Sequence, residues 1–381
     1  MEYKIAVLAG DGIGPEVIGE GLKLLEAVGA RYGHRFHCQA ATVGGAAIDL
    51  TGRAIDLATL ELCAGGDAVL FGAVGGPKWD DPKARVRPED AILALRKELK
   101  LYANLRPVKV HTPLLDASPI KAERLKGVDL VVVRELTGGL YFGKPKKRWQ
   151  TSRGWRAVDT LAYSQPEVDR ILRVGFQLAQ GRRKKLTSVD KANILETGRL
   201  WRQRAQELAA EFPDVALEHM LVDTAAMQLM REPARFDVVV TENTFGDILT
   251  DEVAVLAGSM GMLPSASLGA RSLPGVQGGP KRLFGLYEPI HGSAPDIAGQ
   301  NKANPLATFL SLALLLRYSC GLEAEAAVVE QVVEELLRAG YRTGDIAAPD
   351  SKVVGTREMG DLAVRALRSL KAEPSPHAPR D

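Results

Sequence analysis

Two aspartates, Asp247 and Asp251, stand four residues apart and form the pattern in this chain with the clearest chemical meaning. They follow an apolar run at residues 236–240 that predicts a buried strand, and they fall in the first turns of a predicted helix. Because residues four apart share one helix face, both carboxylates could reach one ion. Oxygen donors without histidine or cysteine beside them favour Mg²⁺ or Mn²⁺ over Zn²⁺. The alternative is that one aspartate complements the helix dipole and the other is a solvated surface acid.

Three arginines, Arg96, Arg106 and Arg134, lie at or near the ends of predicted elements. Guanidinium groups pair bidentately with carboxylates, so three that converged would hold a dicarboxylate. Lys191 and Asp223 each stand where a predicted strand meets a predicted helix. Taken singly, each of these side chains could instead be one partner of a structural ion pair.

Strands and helices alternate in both halves of the sequence, which predicts an α/β fold with parallel, doubly wound sheets flanked by helices. Predicted strands cover residues 5–9, 68–74, 130–134, 186–191, 216–221 and 236–240. Predicted helices end near residue 28 and cover residues 89–99, 166–180, 198–211, 304–318 and 324–339. The turn after the first strand is not a dinucleotide fingerprint, because Pro15 stands where G-x-G-x-x-G requires its third glycine.

Several segments carry weaker signals. The helix that contains Asp247 is predicted to run to residue 261, and residues 269–280 and 286–299 are predicted to lack regular structure. Residues 143–165 are basic and contain Trp149 and Trp155, so they predict either an extended arm or a surface loop. Residues 373–381 are expected to form a frayed tail.

Length, charge and cysteine content limit the class of protein. At 381 residues, the chain is expected to form two domains. Its net charge of +2 is too small to give an overall electrostatic field that attracts nucleic acid or membranes. Its three cysteines show no ligand spacing and no disulfide framework, which favours a reducing compartment. No signal peptide is expected, and the longest apolar stretch, residues 306–316, is too short to cross a bilayer. We therefore expect a cytoplasmic protein with neither nucleic acid nor membrane among its partners.

Seven ordered motifs together resemble those of one enzyme family. They cover residues 10–16, 74–80, 102–107, 134–139, 188–193, 245–251 and 291–299. Over roughly residues 3–370, the chain resembles the isocitrate and isopropylmalate dehydrogenase family of β-decarboxylating dehydrogenases. The resemblance implies a two-domain isopropylmalate dehydrogenase-like fold, with mixed or parallel sheets flanked by helices and a cofactor-binding domain at residues 1–103 and 260–381. Residues 104–259 would form a central domain with the arm and the interface of a homodimer, whose active sites combine residues of both chains.

The resemblance also implies a role for each candidate residue. The implied metal ligands are Asp223, Asp247 and Asp251, of which Asp223 also binds substrate. The residues implied to bind the substrate carboxylates are Arg96, Arg106 and Arg134. Lys191 would take the proton of the substrate hydroxyl, and Tyr141 would return a proton to carbon after decarboxylation. A bound cation would stabilise the negative charge that builds on the substrate oxygen.

NAD is the cofactor that the resemblance implies, bound without a Rossmann fold. The implied contacts are Ile13, Gly76, Pro77, Lys78, Glu89, His291, Gly292, Ser293, Ala294, Pro295, Asp296, Ile297, Ala303 and Asn304. Asp296 matches the family position that accepts the ribose hydroxyls, where a carboxylate would repel the 2′-phosphate of NADP. Residues 300–302 and the basic loop at 143–156 depart from the family pattern.

Ile92 and Leu93 bear on the choice of substrate. They would offer an apolar floor to an isopropyl group, where isocitrate-type enzymes carry polar residues for a third carboxylate. The implied reaction is the NAD-dependent oxidative decarboxylation of (2R,3S)-3-isopropylmalate to 4-methyl-2-oxopentanoate and CO₂, a step of leucine biosynthesis. The alternatives are a relative acting on isocitrate, homoisocitrate, tartrate or D-malate, and an inactive regulatory subunit, which should have lost part of the metal and proton-transfer set.

Overall fold

The computed structural model describes residues 1–81, 83–275 and 281–370. Two compact units are present, the first made of Met1–Lys100 and Gly258–Asp381 and the second of Leu101–Ala257. The sequence-based divisions followed residues 103 and 259. The predicted tail at residues 373–381 and part of the loop predicted at 269–280 lie outside the described residues.

Strands and helices alternate along both units. The strands are β1 Glu2–Gly10, β2 Arg35–Ala40, β3 Ala68–Ala73, β4 Leu101–Lys109, β5 Asp129–Glu135, β6 Lys147–Thr151, β7 Gly154–Val158, β8 Lys185–Asp190, β9 Ala216–Leu221, β10 Val238–Thr241, β11 Pro264–Leu273, β12 Arg282–Pro289, β13 Tyr341–Arg342 and β14 Lys352–Val353. The helices are α1 Gly14–Tyr32, α2 Gly45–Thr51, α3 Leu57–Gly65, α4 Asp90–Glu98, α5 Ala122–Leu125, α6 Gln165–Gln180, α7 Glu196–Ala209, α8 Val222–Arg231, α9 Asn243–Ala254, α10 Leu306–Leu315, α11 Glu323–Arg338 and α12 Thr356–Ser369.

The first unit has a sheet in the order β2-β1-β3-β12-β11. The neighbours are parallel except for β11, which runs antiparallel to β12. Every residue of β3 is buried, as expected for a parallel strand covered on both faces. Helices α1 and α10 pack against β3, and α12 packs against α1.

The second unit has a sheet in the order β4-β5-β10-β8-β9, with β4 antiparallel to β5 and the other neighbours parallel. Its core is valine-rich, because Val131–Val133 of β5 pair with the buried residues of β10. The parallel register sets Thr241 beside Arg134 of β5 and beside Val189 of β8. The carboxyl ends of these three strands therefore meet at one edge, and helix α9 begins directly after that edge. The predicted α/β class is confirmed.

Three expectations for secondary structure need correction. Helix α9 ends at Ala254 and not at residue 261, and short 3₁₀ turns follow it on either side of Gly258, whose φ of +83° breaks the helical path. Residues predicted as loop after 269 continue strand β11 to Leu273, where the pairing with β12 resumes beyond an irregularity between Leu268 and Ser272. Residues 286–289 belong to β12, because ladders with β3 and β11 order them despite their irregular pattern.

The arm predicted between residues 143 and 165 contains the antiparallel hairpin β6–β7. Each of its tryptophans is covered by a cation, since Lys147 lies over Trp149 and Arg148 over Trp155. Helices α2, α3, α5 and α12 had not been predicted. Among the described residues, none of the helices combines the length and the apolar character that crossing a membrane requires.

Candidate active site

Arg134, Tyr141 and Asp247 form one hydrogen-bonded group in the second unit. Arg134, the penultimate residue of β5, donates from Nη1 to Oδ1 of Asp247. The Tyr141 hydroxyl donates to the other carboxylate oxygen, Oδ2, at 2.9 Å. Burial, and after it the hydrogen bond with Asp247, raises the pKa of Tyr141. The phenol therefore stays protonated across the physiological range, as a proton donor must.

Two residues that the sequence analysis missed hold Arg134 in place. Asn243, the first residue of α9, accepts from Nε and Nη2 of Arg134 at 3.1 and 3.0 Å. Gly246 makes room for the arginine, because a Cβ there would lie 2.6 Å from Cγ of Arg134. Both residues precede Asp247 in the first turns of α9, but only the strand–helix contact shows their importance.

Arg106 and Asp251 form a second contact on the same helix. Arg106 of β4 donates from Nη1 to Oδ1 of Asp251 at 3.1 Å and to the Thr250 hydroxyl at 3.0 Å. Its Nε donates to Oδ1 of Asn104 at 3.1 Å. Each of the two aspartates of α9 thus pairs with one of the predicted arginines, and the Asp251 side chain remains largely exposed.

The donor chemistry of α9 fits a hard divalent cation in part. Asp247 and Asp251 supply carboxylate oxygens one helical turn apart, the donors that Mg²⁺ and Mn²⁺ prefer. Over the described ranges, no group of three or more His, Cys, Asp or Glu side chains is placed to hold a metal ion. One chain therefore does not bring Asp223 to the other two aspartates.

Lys191 and Asp223 pair with each other instead. Nζ of Lys191 lies 2.9 Å from Oδ1 of Asp223, and this hydrogen bond lowers the pKa of the Asp223 carboxyl. Asp190, the last residue of β8, fixes the backbone beside Lys191 by accepting from the Ala192 amide at 2.9 Å. Arg202 of α7 binds the same buried carboxylate bidentately, with both distances 2.9 Å. The lysine thus stands on a rigid strand end.

Arg96 belongs to the first unit, where it lines a cleft of about 150 Å³. Its Nη2 donates to Oε1 of Glu288 on β12 at 3.2 Å. Ile92 and His291 line the same cleft, whereas Leu93 on the neighbouring face of α4 is 49% exposed. Burial lowers the pKa of His291, and within the described residues its Nε2 has no hydrogen-bond partner.

A second cleft of the first unit, of about 460 Å³, contains much of the predicted cofactor segment. The predicted residues that line it are Gly76, Pro77, Glu89, Gly292, Ser293 and Pro295. Its volume falls in the usual range of small-molecule pockets, and a wall rich in glycine leaves backbone open to a ligand. These features fit a cleft that binds part of a dinucleotide cofactor.

Asp11, which the sequence analysis placed only within a motif, organises this cleft. Its buried carboxylate accepts from the amides of Gly45 and Ala46, which open α2, at 2.7 and 3.0 Å. It also accepts from the Gly75 amide at 2.9 Å, just before the predicted cofactor residues. The preceding Gly10 has a φ of +74°, and a Cβ there would lie 1.9 Å from the carbonyl oxygen of Ala73.

The remaining predicted cofactor residues divide into packed and exposed groups. Ile13 and Ala303 belong to one buried cluster, against which Ala294 and Ile297 pack. Asn304 is also buried and donates to Asp345 at 3.1 Å. Asp296 is exposed, and Lys78 is bound to Asp49 at 2.6 Å. Exposure leaves the Asp296 carboxylate open to a ligand.

Comparisons with known proteins identify the family of the chain. The family model "Isocitrate/isopropylmalate dehydrogenase" matches residues 4–363. A 3-isopropylmalate dehydrogenase of Dehalococcoides mccartyi is 57% identical over 96% of this chain and 100% of the relative. That of Heyndrickxia coagulans is 55% identical over 98% of this chain and 99% of its own.

Solved structures give the same result. The crystal structure of isocitrate dehydrogenase from Methylococcus capsulatus aligns with a TM-score of 0.82 and 33% identity, over 96% of this chain and 99% of that one. A β-decarboxylating dehydrogenase from Thermococcus kodakarensis aligns with a TM-score of 0.76 and 33% identity, over 96% of each chain. The chain belongs to the isocitrate/isopropylmalate dehydrogenase family of decarboxylating oxidoreductases.

Proposed function

We propose that this protein catalyses the NAD-dependent oxidative decarboxylation of 3-isopropylmalate to 4-methyl-2-oxopentanoate and CO₂. The observation that carries the proposal is the contact set of Arg134, Tyr141 and Asp247, in which a guanidinium, a phenol and a carboxylate lie side by side. The oxidation and decarboxylation of a 2-hydroxy dicarboxylate require such a set, because the carboxylates must be bound, the negative charge that develops on the C2 oxygen must be stabilised, and carbon must finally be protonated.

Each predicted site residue has a defined role in this proposal. Arg106 and Arg134, together with Arg96, bind the two carboxylates of the malate. Lys191 accepts the proton that leaves the hydroxyl as C2 is oxidised, and Tyr141 donates a proton to carbon after CO₂ has left. When bound, NAD supplies the hydride acceptor, and Mg²⁺ or Mn²⁺ supplies positive charge beside the C2 oxygen.

The choice of NAD over NADP rests on Asp296. Its carboxylate is exposed next to the glycine-lined cleft and would repel a 2′-phosphate. The choice of an isopropyl substituent rests on Ile92 and Leu93. Ile92 lines the cleft of Arg96, and the exposed Leu93 is free to contact a bound alkyl group.

Initial rates test both choices in one experiment. Purified protein with Mg²⁺ should turn over 3-isopropylmalate with a higher kcat/KM than isocitrate or D-malate, and NAD should exceed NADP for the preferred substrate. A higher kcat/KM on isocitrate or D-malate would replace the proposed substrate. No turnover of any of the three would favour the regulatory subunit.

We propose further that the chain acts as a homodimer in the cytoplasm, with each active site built from two chains. Support comes from large apolar side chains left exposed near the candidate residues of the second unit, including Ile194, Met227 and Ile248. The pairing of Asp223 with Lys191, away from Asp247, also supports completion of the metal site by a second copy. The free thiols of Cys38, Cys63 and Cys320 suit a reducing compartment.

Complementation tests the shared site. Lys191→Ala and Asp247→Ala, each inactive alone, are refolded as a mixture and separately. In a mixed dimer one site receives both defects and the other receives neither, so about a quarter of parental activity should return if pairing is random. If mixed dimers form and activity does not return, each site belongs to one chain.

A further inference from the structure

Two buried carboxylates, Glu135 and Glu242, lie on either side of one tyrosine hydroxyl behind the candidate active site. Glu135 ends β5 and is 0% exposed, and Glu242 precedes α9 and is 6% exposed. The Tyr163 hydroxyl lies 3.4 Å from Oε2 of Glu135 and 3.3 Å from Oε2 of Glu242. None of these three residues has a role in the reaction proposed above.

Glu135 holds the turn that leads to Tyr141. It accepts from the amides of Thr137 and Gly138 at 3.0 and 2.7 Å, and from the Thr137 hydroxyl at 2.7 Å. Arg170 of α6 balances its charge at 3.1 Å. The turn is therefore fixed to the end of the strand that carries Arg134.

Glu242 and Asn243 hold the start of α9. Glu242 caps the helix by accepting from the amides of Thr244 and Phe245 at 3.1 and 2.8 Å. The Asn243 side chain donates to the carbonyl oxygen of Gly138 at 3.1 Å, so the helix start is also tied to the turn. This start leads directly to Asp247.

Tyr163 links the turn after β5 to the start of α9. Its oxygen accepts from the Asn243 amide at 3.0 Å, and its ring packs edge-on against Trp201, with centroids 6.1 Å apart. Gly139, two residues before Tyr141, fits against the hydroxyl so closely that a Cβ would lie 2.5 Å from it. Tyr163→Phe would keep the ring, but it would remove the one proton that the two buried carboxylates share and would leave the Asn243 amide without its acceptor.

We propose that Tyr163 is a positioning residue that holds the Tyr141 hydroxyl against Asp247. The contact of 2.9 Å between Tyr141 and Asp247 joins the turn to helix α9. It depends on the turn being fixed where it leaves β5 and on the helix being fixed where it begins. The hydrogen bonds of Tyr163 go to Glu135, Glu242 and Asn243, which hold the turn and the helix start, so it acts through the placement of Tyr141. The inference rests on the proposed function, in which Tyr141 is the proton donor.

A double-mutant cycle tests the inference. Tyr163→Phe should lower kcat for 3-isopropylmalate by about tenfold to hundredfold, since small displacements of a catalytic group have effects of this size. KM for substrate and for NAD should change less than kcat, because Tyr163 is bound to Glu135, Glu242 and the Asn243 amide and to none of the three arginines. In a Tyr141→Phe background the hydroxyl to be positioned is already absent, so Tyr163→Phe should then lower kcat by less than about threefold.

Tyr102→Phe is the matched control, because it removes a hydroxyl from a half-buried tyrosine of the same unit, and it should leave kcat at the parental value. If Tyr163→Phe does not fold, Glu242→Gln keeps the capping oxygen and is carried through the same cycle. Losses that multiply in the double variant would overturn the positioning role while leaving the proposed function intact. A parent without activity on 3-isopropylmalate would overturn both.

Discussion

Replacing Gly246 with alanine adds one methyl group at the contact between α9 and the strand that carries Arg134. The new Cβ would lie 2.6 Å from Cγ and 2.8 Å from Cβ of Arg134. Those atoms adjoin the backbone of β5, and the guanidinium is bound to Asn243 and Asp247. The arginine therefore cannot turn aside without losing its partners, and either the helix or the side chain must shift.

Two opposing effects set the change in stability. Alanine in a helix interior is favoured over glycine by about 1 kcal/mol. Forcing an extra methyl group into a packed site costs about 1–3 kcal/mol. We therefore expect Gly246→Ala to lose at most about 2 kcal/mol of stability. The effect on activity should be larger, because a displacement of about 1 Å in a substrate-binding group lowers activity by about 100-fold.

The measurement is kcat/KM for 3-isopropylmalate beside the urea midpoint of unfolding. Gly19→Ala is the control, since Gly19 also lies within a helix, α1, and no atom lies within 4 Å of its added Cβ. The control should gain up to about 1 kcal/mol of stability and keep parental activity. If Gly246→Ala also keeps parental kcat/KM, then Arg134 either does not bind substrate or tolerates the shift, and the reasoning fails.

Three further predictions concern the metal, the cofactor and the substrate. Asp247→Asn should keep the fold and lower kcat by about 100-fold or more, and chelator should inactivate the parent until Mg²⁺ or Mn²⁺ is restored; full activity in excess chelator would refute the metal site. Asp296→Lys combined with Ile297→Tyr should lower the ratio of kcat/KM for NAD to that for NADP, since a positive charge would meet the 2′-phosphate; an unchanged ratio would place Asp296 away from the ribose. Leu93→Asn should raise KM for 3-isopropylmalate by up to about tenfold to hundredfold, because burial of an isopropyl group contributes about 1.5–3 kcal/mol; an equal change for D-malate would place Leu93 outside the pocket.

Local periodicity was enough to predict that Asp247 and Asp251 share a helix face, because four-residue spacing determines that geometry. The parallel strands of the second unit were equally predictable, since runs such as Val238–Val240 have few alternatives to a buried strand. The α/β class follows from the alternation of such runs with amphipathic helices.

The supports of the site were not predictable in this way. Gly246 and Asn243 matter because α9 packs on Arg134, which is more than a hundred residues away in sequence. The prediction of a loop after residue 269 was wrong for the same reason. Only the ladder with β12 orders the polar residues of β11 there. Residues whose role depends on a distant contact have no local periodicity to indicate it.

The carboxylate of Asp11 has a consequence for the order of folding. Helix α2 has only seven residues, too few to be stable alone, and its own N-cap, Gly44, supplies no side-chain hydrogen bond. Two of its first amides depend on a carboxylate that lies 34 and 35 residues earlier in the chain. Helix α2 should therefore form only after β1 and β3 have paired, on the native side of the folding transition state. Substitutions within it should raise the unfolding rate and leave the folding rate nearly unchanged.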